Sequence, residues 1–240
     1  NYEHFYEVVE LHNTWSSLAG ISLFGLIGLW KGNPTQEWRY FLGYFILFLI
    51  GVGSAGLHGT LHWVFQSSDE LPMIYLVTLM NFMTVEVDSP HGKPKYPLLP
   101  LILNILMVAN TLIYFTFQHL YLVFIATNTF ASTYHAYLMY TTVFKHNKGG
   151  VTSRNLCKAF QVSYLGGFIF WLLDMFHCDY SVLGKGMTFH VLWHFGAGFG
   201  GYLGLVTLEN CRVVALNMKC EIAYVLGFVP YVKLLDEKRD

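Results

Sequence analysis

Two histidines four residues apart, His190 and His194 in TFHVLWHFGAG (188–198), lie inside a long apolar run. Four residues make about one helical turn, so a helix stacks both imidazoles on one face, where two ring nitrogens can meet one ion. A single histidine at the edge of an apolar helix reads as a polar anchor. Two on one face ask for a shared partner, because ionisable groups in an apolar setting are costly without one.

Other stretches carry groups of the right kind. GVGSAGLHGTL (51–61) holds Ser54 and His58 one turn apart, His62 follows a turn later, and SDELPMIY (68–75) holds Asp69 and Glu70. Three histidines and an open fourth position are the pattern of catalytic zinc. Such a metal would lower the pKa of a bound water from about 16 to about 7 and polarise a carbonyl. A nearby carboxylate such as Asp69 would take the water's proton and pass it to a leaving group, while Ser54 would donate to the developing oxyanion. This is the chemistry of a metal-dependent hydrolase. Spacing alone leaves the third ligand open: His58 is deeper and shares a face with Ser54, whereas His62 is nearer water. Asp174, in FWLLDMF (170–176), reads first as a hydrogen-bonded structural carboxyl, with partner to a ligand histidine as the rival role.

The elements that must carry these groups follow from composition. The chain has 240 residues, 54% hydrophobic and 12% charged, against about 25% charged in a soluble domain. Runs of about 18 or more apolar residues can cross a bilayer as helices. Seven are present: Asn13–Trp30, Tyr40–His62, Leu71–Val87, Tyr96–Phe117, Leu120–Phe144, Ala159–Phe176 and Met187–Leu208. The expected fold is an all-α, seven-transmembrane helix bundle forming one domain over 1–240, with an outer segment at 1–12 and a cytosolic tail at 209–240. Val213–Leu235 is also apolar, but Lys219, Glu221 and Pro230 make it a surface-lying or partly buried segment rather than an eighth span.

Lysine and arginine set the orientation. Lys31, Arg39, Lys93, Lys95, Lys145, Lys148, Arg154, Lys158, Arg212, Lys219, Lys233, Lys238 and Arg239 fall on one side and Lys185 alone on the other. The positive-inside rule then puts the C-terminus in the cytosol and the N-terminus in a lumen or outside. Span two runs outward, bringing Ser54, His58 and His62 near the outer face. Span three starts there, with Asp69 and Glu70 ahead of Pro72, which suits a first helical turn. Span seven begins there with His190 and His194. Three separate pieces of chain thus bring His, Ser and Asp to one depth. A proton channel would instead string polar groups through the whole membrane, and spans four and five are nearly bare of them.

The net charge of −1 implies no nucleic acid or other polyanion partner. Cys157, Cys211 and Cys220 fall on the reducing cytosolic side. Cys178 falls on the other, where disulfides persist, as a free thiol or half of a bridge whose partner is outside the sequence.

At these residues the chain resembles the alkaline ceramidases, a family within a larger group of seven-span hydrolases that includes the adiponectin receptors. The stretches that carry the resemblance are GVGSAGLHGTL (51–61), SDELPMIY (68–75), FWLLDMFHC (170–178), FHVLWHFGAG (189–198) and NYEHFYEVVELHNT (1–14). The resemblance implies zinc on His58, His190 and His194, Asp69 as the acid/base carboxylate and Ser54 as the oxyanion-stabilising hydroxyl. It implies ceramides as substrate, cleaved to a free fatty acid and a sphingoid base, in the endoplasmic reticulum or Golgi membrane and with no obligate protein partner. It also implies a calcium site. Asn1 and Glu10 match two of its ligands, and the others would lie upstream of Asn1, since calcium takes about six to eight oxygens. Cys178 matches one half of a lumenal disulfide whose other half would also lie upstream. A receptor of the adiponectin-receptor kind is the alternative. That kind is inserted the other way round, and both the Lys/Arg asymmetry and DELPMIY argue against it.

Overall fold

The computed structural model describes residues 8–117, 121–176, 182–184 and 187–235. Asn1 and Cys178 lie outside these residues. Helices dominate, in chain order: α1 Leu11–Ser17, α2 Leu23–Lys31, α3 Trp38–Thr60, α4 Trp63–Val85, α5 Leu99–Thr116, α6 Tyr121–Met139, α7 Gly150–Phe176 and α8 His190–Ala215. A π-helical turn, Leu18–Ser22, joins α1 to α2 as one rod, and a second, Tyr140–Lys145, prolongs α6. Among the described residues there are therefore seven helical rods, one for each expected apolar run. Four helices, α3, α5, α7 and α8, are long and apolar enough to cross a membrane.

α8 is the most buried of these four and α5 the least. α8 packs along α7 and against α1, α2 and α3, while α4 lies between α3 and α6. Tyr40 and Tyr44 of α3 and Tyr202 of α8 are fully buried in the common core with Leu205 and Met83. The apolar surface left outside, such as Leu101, Ile105 and Leu112 on α5, is what a lipid-facing helix requires.

The expectation of an all-α fold needs correction. Residues after α8 form an antiparallel hairpin, β3 Cys220–Val225 with β4 Val229–Leu234, turned at Leu226 and Gly227, both at positive φ. A shorter ladder pairs β1 Val182–Gly184 with β2 Met187–Thr188. Six-residue strands are too short to span a bilayer, which needs about 9–11. The hairpin instead buries Val229 and Val232 and takes a hydrogen bond from Tyr202 Oη to the Pro230 carbonyl at 2.8 Å. The expected tail boundary at 209 falls within α8, which continues buried to Val213.

Pro72 is a second correction. α4 begins at Trp63, so Pro72 sits inside the helix rather than in its first turn. The polar run ahead of it stays helical because its side chains find partners: Glu70 accepts hydrogen bonds from Gln66 Nε2 at 2.9 Å and from Tyr114 Oη at 2.8 Å.

The ends of the rods remote from His190 are tied by a buried ion cluster. Arg212 donates to Glu37 (Nε–Oε2 3.1 Å, Nη2–Oε1 2.5 Å) and to the carbonyls of Val87 (3.0 Å) and Ser89. Arg39 donates to the same carboxylate at 2.7 Å. Burial alone would raise the pKa of Glu37, but hydrogen bonds from Arg212 and Arg39 hold it below the ordinary value. With its side chain only 1% exposed, Arg212 has no access to water if Glu37 is lost. Glu37→Gln should therefore lower unfolding stability in detergent by about 3–5 kcal/mol, the usual cost of breaking a buried pair. An unchanged denaturation midpoint would contradict this role.

Candidate metal centre

His58 comes from the last turn of α3, and His190 and His194 open α8. Their ring centroids are 5.0 Å (His58–His190), 5.1 Å (His58–His194) and 4.7 Å (His190–His194) apart. One nitrogen from each lies within 4.8 Å of the other two, a spacing that can hold a metal ion. His62 is excluded by the chain turn. Leu61 adopts a left-handed conformation (φ 53°) and ends α3, so His62 swings out to cap α4, accepting from Val64 N at 3.3 Å.

Two close backbone approaches bring the rods together. A side chain at Gly20, in the π turn, would meet Phe195 N at 2.9 Å, so the first rod lies directly against the His194 turn of α8. A side chain at Gly53 would sit 2.1 Å from the Ser68 carbonyl oxygen. Pro72 has no N–H to bond that carbonyl four residues back. Gly53 and Pro72 together let α4 approach α3 at Asp69. The half-buried Asp69 side chain there faces the Ser54 hydroxyl, within electrostatic reach of His58. Glu70, one residue on, is turned to Gln66 and Tyr114 instead.

The outer nitrogens of two rings have oxygen partners. His58 Nδ1 is 2.5 Å from Glu10 Oε2. That hydrogen bond holds the Glu10 carboxyl down at about 2, with help from Asn13. A carboxylate oxygen only accepts, so a hydrogen on His58 Nδ1 makes this bond, and Nε2 is the ring nitrogen left to face the cluster. His194 Nδ1 lies 2.8 Å from Ser16 Oγ. Asp174 Oδ2 is 4.0 Å from His190 Nδ1, an ion-pair distance beyond a hydrogen bond, and Asp174 Oδ1 is buried without a partner among the described residues.

Three imidazoles converging on one point, two with outer nitrogens anchored, fit a divalent ion of zinc's preference. Sequence reasoning passed over Ser16 and Ser17. Glu10, Asn13 and Ser16–Ser17 recur at helical spacing and form one polar stripe, which was the available signal. It also passed over His135 on α6, buried and hydrogen-bonded to Asn81 Oδ1 at 3.0 Å. His135 is no part of the trihistidine group.

Comparison with known proteins agrees along nearly the whole chain. A family model described as Ceramidase matches residues 1–233. The chain is 29% identical to alkaline ceramidase 3 of Mus musculus, over 97% of this chain and 88% of that protein. It is 26% identical to alkaline ceramidase YPC1 of Saccharomyces cerevisiae, over 92% of this chain and 78% of that protein. With the alkaline ceramidase of Arabidopsis thaliana it shares 27% identity, over 98% of this chain and 89% of that protein. Because the match takes in every rod that contributes to the histidine cluster, and not the cluster alone, the chain belongs to the ceramidase family.

Proposed function

We propose that this protein hydrolyses the amide bond of ceramides to a free fatty acid and a sphingoid base, with zinc held by His58, His190 and His194. The observation that carries the reading is the trihistidine cluster within 4.8 Å, set beside Ser54 and Asp69 in a chain of the ceramidase family. Zinc bound there would polarise the amide carbonyl and bring a water's pKa to about 7.

The chain's own residues divide the remaining work. Asp69 takes the proton that the attacking water loses and delivers it to the amide nitrogen as the C–N bond breaks. Water's oxygen and its remaining proton stay with the acyl group as the carboxylic acid, and the nitrogen leaves as the amine of the sphingoid base. Ser54, buried beside Asp69, donates to the carbonyl oxygen as negative charge collects on it.

The membrane reading belongs to the same proposal. All seven rods cross an endoplasmic reticulum or Golgi bilayer, with the N-terminus and the histidine cluster on the lumenal side and the C-terminal hairpin in the cytosol. Calcium at Asn1 and Glu10, and a bridge from Cys178 to a cysteine outside the sequence, are proposed on the family resemblance alone. Glu10 already serves His58, so a calcium ion bound by Glu10 would sit next to the metal centre.

The direct test is ceramide hydrolysis by purified protein stripped of metal and then given zinc. Activity should vanish and return, and alanine at His58, His190 or His194 should abolish both zinc and turnover, while His62→Ala keeps both. Zinc lost from His62→Ala but not from His58→Ala would overturn the ligand set. Asp69→Asn should retain zinc yet lose turnover, because an amide cannot accept the proton; near-normal hydrolysis would remove Asp69 from the reaction. Ser54→Ala should be milder, with a loss of about 10²–10³ in kcat, the usual cost of one oxyanion donor. An unchanged kcat would leave the oxyanion without this donor.

A further inference from the structure

We propose that Ser16 and Ser17 of α1 are positioning residues for this reaction: Ser16 fixes the tautomer of His194, and Ser17 aims the hydroxyl of Ser54. The inference rests on the zinc-hydrolase reading above and deepens it. Both serines are fully buried, at 0% exposure, in a helix that contributes no ligand of its own.

The number of protons available sets the direction of these bonds. Ser16 Oγ lies 3.1 Å from the Asn13 carbonyl and 2.8 Å from His194 Nδ1. A carbonyl only accepts, and a hydroxyl has a single proton to give. With that proton on the Asn13 carbonyl, Ser16 must accept, so Nδ1 of His194 carries the hydrogen. The chain Nδ1–H to Ser16 Oγ–H to Asn13 O then leaves the Nε2 lone pair for the cluster. Reversed, Ser16 would donate to Nδ1 and the ring's hydrogen would sit on Nε2, where a metal ligand needs its lone pair. Glu10 Oε2 takes the hydrogen of His58 Nδ1 in the corresponding geometry; a serine does it for His194 by sharing a helix carbonyl.

Ser17 faces mainly the other component, with a longer contact of 3.4 Å to His194 Nδ1. Its Oγ is 2.7 Å from the same Asn13 carbonyl and 3.0 Å from Ser54 Oγ. The Asn13 carbonyl has two lone pairs and takes the Ser16 proton whichever way Ser17 points, and Ser17 Oγ is within donating reach of Ser54 Oγ. Ser54 then accepts from Ser17, and its own hydrogen is left for Asp69 or the substrate carbonyl. If Ser17 donated to Asn13 instead, Ser54 would be drawn to donate to Ser17, away from the reacting group. A single helical turn, Asn13 to Ser17, thereby touches both the ligand ring and the oxyanion donor.

The test uses the purified full chain with zinc itself as probe, in competition with a chelator. Ser16→Ala should weaken zinc binding about 10–100-fold, the usual effect of losing a ligand's outer partner, while the metal-free protein melts as wild type. If Ser16→Ala does not fold, Ser16→Cys, similar in size and a poor acceptor, should show the same loss. Wild-type zinc affinity in a folded Ser16 variant overturns the first half. Ser17→Ala should keep zinc and KM but lose about five- to tenfold in kcat, and that loss should disappear in a Ser54→Ala background. An equal loss in both backgrounds overturns the second half. If wild type neither binds zinc nor needs it, the hydrolase reading fails and takes this inference with it. A zinc-dependent wild type with indifferent serine variants removes this inference alone.

Discussion

Three imidazoles whose nitrogens approach within 4.8 Å inside an apolar bundle are the constraint on which the rest of the structure depends. Lone pairs aimed at one point repel each other unless a cation lies between them, and hydrogen placed there would crowd. The arrangement is tolerable when each ring is held in the right tautomer from behind and a metal sits in front. Everything near the site can be read as meeting those two demands. Glu10 and Ser16 hold two rings from behind, and both come from the first rod. The first rod therefore belongs to the site although it supplies none of the three histidines.

Small residues and one missing N–H make this geometry reachable. Gly20 lets the π turn of the first rod rest on the His194 turn, and Gly53 lets α3 meet the Ser68 carbonyl that Pro72 leaves free. The opposite ends of the rods are fixed by different physics, with Arg212 and Arg39 sharing the carboxylate of Glu37. A close-packed polar site at one end and a buried ion cluster at the other hold α3 and α8 in register. α5 is tied by Tyr114 on Glu70 and Thr111 on Tyr75, and it leaves most of its apolar surface exposed.

Much of this was legible in the sequence, and the failures have physical causes. Hydropathy located seven rods, because a chain with so few charges can bury backbone only as helices when lipid surrounds it. Hydropathy missed the first eight residues of α4, since Gln66 and Glu70 look like loop until Tyr114, far along the chain, is seen to satisfy them. The β3–β4 hairpin escaped because its turn is Leu226–Gly227, without the Asn-Gly or Asp-Gly signal of a tight hairpin. His-x3-His periodicity put His190 and His194 on one face, yet spacing could not choose His58 over His62. That choice depends on a left-handed residue at Leu61, which local sequence does not announce. Ser16 and Ser17 lay in a visible helical stripe, but only the tertiary contact with α8 reveals what the stripe faces.

The central claim is that three histidines, and no other side chains, hold zinc in a site with room for water. X-ray absorption at the zinc edge of the purified protein tests this most directly. One zinc per chain is expected, bound by three imidazole nitrogens at about 2.0–2.1 Å with an additional light-atom ligand. A sulfur shell at about 2.3 Å, or an absence of zinc from catalytically active protein, would contradict it.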